Sequence, residues 1–376
     1  MRSDVFVIDV NKFKPGDVVL STNSASRVSQ VIRKVTDSNF SHASIAMMGS
    51  NCVEAVGNGV RVMCLERIHV ADLSNVRVLR LKASFDADVP TKAASAAKGC
   101  LFRPYWPRGA MAAGLGLSGD RRNEDSFFCS HLVAHCYIEA GIEIFGREIP
   151  EAIVPGDFLR LTTFFDDVTE SAFRAIPKKY APAFALDVEG YPGDSEDAFA
   201  ALNQNISRNL DSEFKTEEWF RPFRNKLHQF SEWYGLYFYF QDLEVLRKYD
   251  AGLVKSFNKY DFSNFLRSEM SRNHPLMFVT IEQWAQLLDT APFSHKDLVA
   301  LIELLKASEA SFQQNTDIYI SDLEKENWLM SLKPMLIDYE GVRLLQGFYK
   351  ERLAIARECI KITSEKIGLL TARLCR

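Results

Sequence analysis

The chain has little of what usually settles a protein's class. It has no CxxC pair. Its seven cysteines stand apart, at 52, 64, 100, 129, 136, 359 and 375, and are odd in number. That pattern argues against a disulfide framework and for reduced thiols, hence a cytosolic origin. No run of about 18 apolar residues occurs, so no membrane span is expected. No apolar stretch follows Met1: Arg2–Lys14 alternates apolar and charged residues, unlike a signal peptide. A cytosolic origin still leaves room for export by a secretion machine that needs no signal peptide. Charge of one sign is also scarce. With 45 Lys and Arg against 49 Asp and Glu, the net charge is −4, which gives no reason to expect nucleic acid or an anionic membrane as main partner. No internal repeat of fixed period is found.

What remains is an ordinary globular composition, 47% hydrophobic and 25% charged over 376 residues, enough for at least two domains with good cores. The first part is rich in short β-branched runs. Lys14-Pro15-Gly16-Asp17 reads as a turn. Val18–Ser21, Ala43–Met48, Cys52–Val56, Val60–Cys64 and Val76–Leu81 read as strands of a small, mostly antiparallel sheet. Residues 25–36, 90–99 and 126–140 read as helices, the last stopped by Gly141. Residues 187–196 are polar, with two glycines and a proline, and are taken as a linker. Beyond them the pattern is helical throughout, with helices expected at 280–288, 294–310, 318–332 and 342–374. The expected fold class is therefore α+β over 1–186, followed by an all-α domain at 197–376 with no catalytic signature.

Chemistry points to Cys129, at the mouth of a predicted helix in Phe128-Cys129-Ser130-His131, and to His42, opening a predicted strand in Ser41-His42-Ala43-Ser44-Ile45. A helix N-terminus favours a thiolate, and a histidine brought close by the fold manages the proton. The same cysteine pattern also suits a small buried apolar residue.

The histidine precedes the cysteine, the reverse of the usual papain-like order. Four stretches in this order resemble the circularly permuted NlpC-type papain-like hydrolases, the YiiX/YaeF-like group. They are Lys14-Pro15-Gly16-Asp17-Val18-Val19-Leu20, Ser41–Ile45, Cys52–Val60 and Phe128–Val133. Val154-Pro155-Gly156-Asp157-Phe158-Leu159 also fits. The resemblance covers about 10–165. It implies a permuted papain-like fold, no cofactor, and a triad of Cys129, His42 and Glu54, with Glu54 orienting the imidazole. Geometry adds a condition. A two-residue loop Gly49-Ser50 would put Glu54 opposite Ile45, on the wrong face. A three-residue loop Met48-Gly49-Ser50 puts it opposite Ser44, on the face of His42.

The expected reaction is acyl transfer through a thioester on an amide: a peptide, isopeptide or cell-wall cross-link. The resemblance also allows a lipid ester or thioester, as in lecithin–retinol acyltransferase-like relatives. Those commonly carry a second histidine where this chain has Glu54. A non-catalytic binding module is a third reading. The helical domain would suit a protein partner or a secreted bacterial effector. Tyr105 either lines the site or donates to the oxyanion, or is a rim or core tyrosine. Gly114–Gly119 matches GxGxxG but lacks the strand–helix context of a dinucleotide site. His131 and His135, four apart, lack a third metal ligand, and no metal is expected. The aromatic stretch Trp219–Phe240 reads as a buried part of the helical domain, with lipid or partner binding as the alternative.

Overall fold

The computed structural model describes residues 4–22, 38–114, 126–145, 153–177, 198–273, 279–290 and 293–375. The helix expected at 25–36, the linker at 187–196 and residues 115–119 of the GxGxxG segment lie outside them. Among the described residues the strands are β1 (Asp4–Ile8), β2 (Val18–Ser21), β3 (His42–Ala46), β4 (Asn51–Val56), β5 (Gly59–Cys64), β6 (His69–Val70), β7 (Val76–Leu81), β8 (Phe165–Asp167) and β9 (Phe173–Pro177). They form a six-stranded sheet, ordered β5-β4-β3-β2-β7-β8, and a three-stranded sheet, ordered β6-β1-β9. Every strand pair is antiparallel. The antiparallel sheet is as expected. The second sheet is not, because β1 and β9 find each other across most of the unit and neither is strongly marked alone.

The two sheets share one core. Val19, Ala46, Cys52, Met63 and Val78 of the larger sheet pack with Ile8, Val70 and Phe173 of the smaller. Strand alternation puts Ser44, Glu54 and Arg61 on that same inward face. Helix α1 (Val89–Gly99) and helix α3 (Cys129–Glu139), with the short α2 (Pro107–Gly114) between them, complete this part. Helix α3 packs on β3, β4 and α1, and its residues are buried on nearly every side, from Cys129 through Tyr137. It is shorter than the 126–140 expected. Phe127 is drawn into a parallel bridge with Tyr105, and Phe128 is extended (φ −111°, ψ 168°), so Cys129 is the first helical residue. Gly141, at φ +89°, ends the helix.

The opening turn is a structural knot. Gly16 has φ +84°, and a Cβ there would strike Pro90. Its carbonyl accepts a 2.6 Å bond from the Tyr137 hydroxyl, which ties α3 to the turn. Asp17, buried at its side, takes two bonds from Arg80 (2.8 and 2.6 Å). At the other end, the Ser130 hydroxyl donates to the Ile153 carbonyl at 3.0 Å. The Pro155–Arg160 turn is closed by Val154 N–H donating to Asp157.

The chain divides into two compact units. One holds 1–195, 273–311 and 361–376, the other 196–272 and 312–360. The sequence expectation placed all of 197–376 in one helical domain. The reason for the difference is that His295–Leu332 is one helix of 38 residues, not two, and that it and Glu340–Leu374 each contribute to both units. Periodicity shows that a helix has an apolar stripe but not which neighbour covers it. In the sheet unit, Leu304 packs on Val5, Val7 and Ile176, and Arg174 pairs with Glu303 at 2.5 Å. Trp284, Leu288, Leu298, Leu301 and Leu370 form a further cluster there. The other unit is helical, with an aromatic core. Phe220, Trp233, Tyr237 and Tyr249 are fully buried, and Phe230 stacks on Phe348 at 4.0 Å. The 219–240 stretch is thus mostly interior, as expected, although Tyr239 is 62% exposed. No helix among the described residues is long and apolar enough to cross a membrane.

Candidate active site

The β3–β4 hairpin takes the register that brings His42 and Glu54 together. Ser44 faces Glu54 and Ala46 faces Cys52, with Met47 N–H bonded to the Asn51 carbonyl. The loop is therefore Met48-Gly49-Ser50. It turns through two left-handed residues, Gly49 (φ 72°) and Ser50 (φ 55°). His42 Nε2 lies 2.8 Å from Glu54 Oε2. The His42 side chain is 16% exposed and that of Glu54 is fully buried. With Nε2 on the carboxylate, the hydrogen bond between His42 and Cys129 falls to Nδ1. Three residues from β3, β4 and the start of α3 thus stand in one hydrogen-bonded line.

Their ionisation follows from that line. Burial works against a charged His42. It is outweighed by the hydrogen bonds to Cys129 and Glu54 and by their negative charges, which raise the imidazolium pKa to about 10. Burial also disfavours a Cys129 thiolate. The bond and charge of His42 overcome it, helped by the main-chain N–H groups of Ala43 and Ser130, so the thiol lies below its ordinary value. The start of a helix adds unpaired N–H groups beside the sulfur. Glu54 is pushed up by burial but brought down to about 2 by Arg61 and His42. The arrangement favours a thiolate–imidazolium pair backed by an ionised carboxylate, the kind of pair that in general can attack an acyl carbon and protonate a leaving group.

Arg61 is the residue that the sequence reading missed. It faces Glu54 directly across β4–β5, is 3% exposed, and its Nε donates to Glu54 Oε1 at 2.7 Å. A signal was present. Gly57-Asn58 is a typical two-residue hairpin loop, and closing it there pairs position 54 with position 61.

Tyr105 is half-buried and reaches the site through its backbone, bridged to Phe127 two residues before Cys129. The two helical histidines are separately occupied. The His131 ring packs against Trp106, Phe127 and Phe128 at 5.8, 5.6 and 5.4 Å. His135 lies against Phe127 and bonds Cys100. Among the described residues no group of three or more His, Cys, Asp or Glu could hold a metal ion. Of the other cysteines, Cys52, Cys64, Cys100, Cys136 and Cys359 are buried, while Cys375 is exposed. Cys100 is not inert packing. A hydrogen bond with Cys136 lowers it against the effect of burial, and His135 adds to this, to about 5.

A cysteine on a helix start, served by a histidine from an earlier strand, defines a papain-like hydrolase in permuted order. Residues 12–155 match the family described as permuted papain-like amidase enzyme, YaeF/YiiX, C92 family, and this N-terminal region is similar to it. The matched segment contains Cys129, His42, Glu54 and Arg61 and stops before the helical remainder. The crystal structure of the metalloprotein YiiX from Escherichia coli O157:H7 is similar at 20% identity, covering 44% of this chain and 97% of that one, with a TM-score of 0.29. No curated protein matches the chain.

Proposed function

We propose that the protein is a cysteine amidase that cleaves a peptide, isopeptide or cell-wall cross-link, with Cys129 as nucleophile, His42 as acid and base, and Glu54 as the group orienting His42. The observation that carries this is the line from Cys129 through His42 to Glu54, with 2.8 Å between imidazole and carboxylate. The Cys129 sulfur attacks the amide carbon. A C–S bond forms and the carbonyl electrons move to oxygen, where N–H groups at the start of α3 stabilise them. His42 gives its proton to the amide nitrogen as the C–N bond breaks, leaving a thioester and a free amine. Neutral His42 then takes a proton from water, whose oxygen displaces the thiolate as the acid product forms.

An imidazolium held to about pH 10 suits a poor amine leaving group, which needs a proton at the moment of departure. Delivery as a bacterial effector, with the helical unit choosing substrate or protein partner, belongs to the same reading.

The test compares the native chain with Cys129→Ala on peptide, isopeptide and cell-wall substrates and on phospholipid vesicles, products being read by mass spectrometry. Amide cleavage lost in the variant is expected. Cys129-dependent release of fatty acid with no amide cleavage would replace this reading with the lipid one. No turnover of any substrate, with Cys129 no more reactive than the other thiols, would favour a binding module.

A further inference from the structure

Glu54 is a carboxylate with no exposure at all, on a sheet face covered by a second sheet. Left alone, such a group takes up a proton rather than remain charged. It has two oxygens and each is committed: Oε2 to His42 and Oε1 to Arg61 Nε, at 2.8 and 2.7 Å. The other titratable groups around it are Cys52 on its own strand and Cys129 on α3. Cys52 is pushed up by burial and by the Glu54 charge, so it brings no cation. Arg67 acts on Cys52, and the groups that lower Glu54 are Arg61 and His42. Among the groups acting on Glu54, Arg61 is thus the permanent positive charge.

Its geometry suits that role. The β4–β5 register sets Arg61 squarely opposite Glu54, and a planar guanidinium fixes the carboxylate plane in a way a rotating ammonium does not. We propose that Arg61 is a positioning residue for the Cys129–His42 pair, acting through Glu54 by keeping that carboxylate ionised and aimed at the imidazole. This rests on the reading of Cys129 and His42 as the reacting pair. The chain of influence is four residues long: guanidinium, carboxylate, imidazole, thiolate. Without Arg61 the buried carboxyl would titrate far closer to neutrality. His42 would lose its anionic partner as Glu54 gained a proton, and the thiolate of Cys129 would be lost with it.

The experiment measures the rate of Cys129 alkylation by iodoacetamide between pH 4 and 9. Peptide mapping separates Cys129 from Cys100, and circular dichroism checks the fold. Arg61→Met should move the acidic limb of the profile upward by about one pH unit or more, with about a tenfold loss of rate on the native limb. Arg61→Lys keeps the charge and should hold the limb within about half a unit. Glu54→Gln and Glu54→Gln/Arg61→Met should give the same profile as each other, because a residue acting only through Glu54 has nothing left to act on. A folded Arg61→Met variant with an unmoved limb overturns the proposal. If Arg61→Met does not fold, the Glu54→Gln pair decides, and a further change on adding Arg61→Met overturns it. Failure of the underlying reading looks different: Cys129 of the native chain would then be alkylated no faster than the remaining buried thiols.

Discussion

In the sheet unit a fully buried carboxylate, Glu54, faces Arg61 and His42 and titrates near 2. In the helical unit a second, nearly buried carboxylate, Glu326, is 7% exposed and sits beside Tyr349 and Asp322. Burial raises it to about 8, with the Asp322 charge adding to the rise and the Tyr349 bond only partly opposing it. The same side chain is therefore pulled down in one interior and pushed up in the other. Burial alone does not decide the charge; the partners brought by neighbouring elements do. A buried carboxylate kept ionised beside a histidine and a thiol is the arrangement the proposed chemistry needs; Glu326 has no such neighbours among the groups that shift it.

The largest expected contrast is in turnover. Cys129→Ala and His42→Ala should each lower amide cleavage by at least about a thousandfold, and the double variant should be hardly worse, since the two act as one unit. Glu326→Gln should leave turnover unchanged. A loss there of similar size would erase the distinction between the units.

Stability comes next. Glu54→Ala strands the Arg61 guanidinium in the interior and should cost roughly 3–5 kcal/mol in urea denaturation. Glu326→Gln replaces a neutral group by a neutral one and should cost under about 1 kcal/mol. Equal costs would mean that Arg61 finds other compensation.

A fragment ending near Asp187 tests where the sheet unit stops. It keeps both sheets but lacks Leu304, which covers Val5, Val7 and Ile176. It also lacks Ser308, whose hydroxyl donates to Glu66 at 3.0 Å, and Ser311, which bonds Ser50. Burial of one leucine is worth about 1.5–3 kcal/mol, so the fragment should melt below the sheet unit of the full chain. Equal melting temperatures would show that the added helices contribute nothing.

The two buried carboxylates, Glu54 and Glu326, should contribute to stability with opposite pH dependence. His42, raised from 6.5 to about 10, contributes stability that is complete below 6.5 and lost as pH rises through about 10. Glu54, lowered from 4.5 to about 2, contributes stability that is present above 4.5 and lost as pH falls toward 2. Glu326 runs the other way. Its unfolded form ionises near 4.5 and its folded form near 8, so its contribution falls as pH rises between those values. Glu326→Gln should flatten that part of the stability curve, and amide cleavage by the native chain should decline near pH 10 as His42 ceases to be an acid. The smallest effect is at the surface: Arg267→Ala, which breaks an exposed pair with Glu358, should cost under about 1 kcal/mol.

Much of this was written locally. The strand runs at 18–21, 60–64 and 76–81, the helix after Cys129 and the long apolar periodicity after residue 280 follow from alternation, helical spacing and turn residues. So did the order of Cys129 and His42, and the condition that Glu54 reach His42 only through a three-residue hairpin loop. Choosing between the two loop lengths was beyond the sequence, because Gly49-Ser50 is compatible with either; the surrounding sheet set the register. The sequence also could not say that Glu54 is sealed from water, since that depends on β1, β6 and β9 closing over its face. It left Arg61 unremarked, because an arginine in a strand is ordinary until its cross-strand neighbour is a buried acid.

By itself, then, the sequence determined the local elements and the residue types able to do cysteine chemistry, because periodicity and turn chemistry act over a few residues. Tertiary structure alone decided which charges are buried together, and which helices join the sheet. Burial, pairing and pKa are set by residues far apart in the chain, and their partners become known only when the chain has folded.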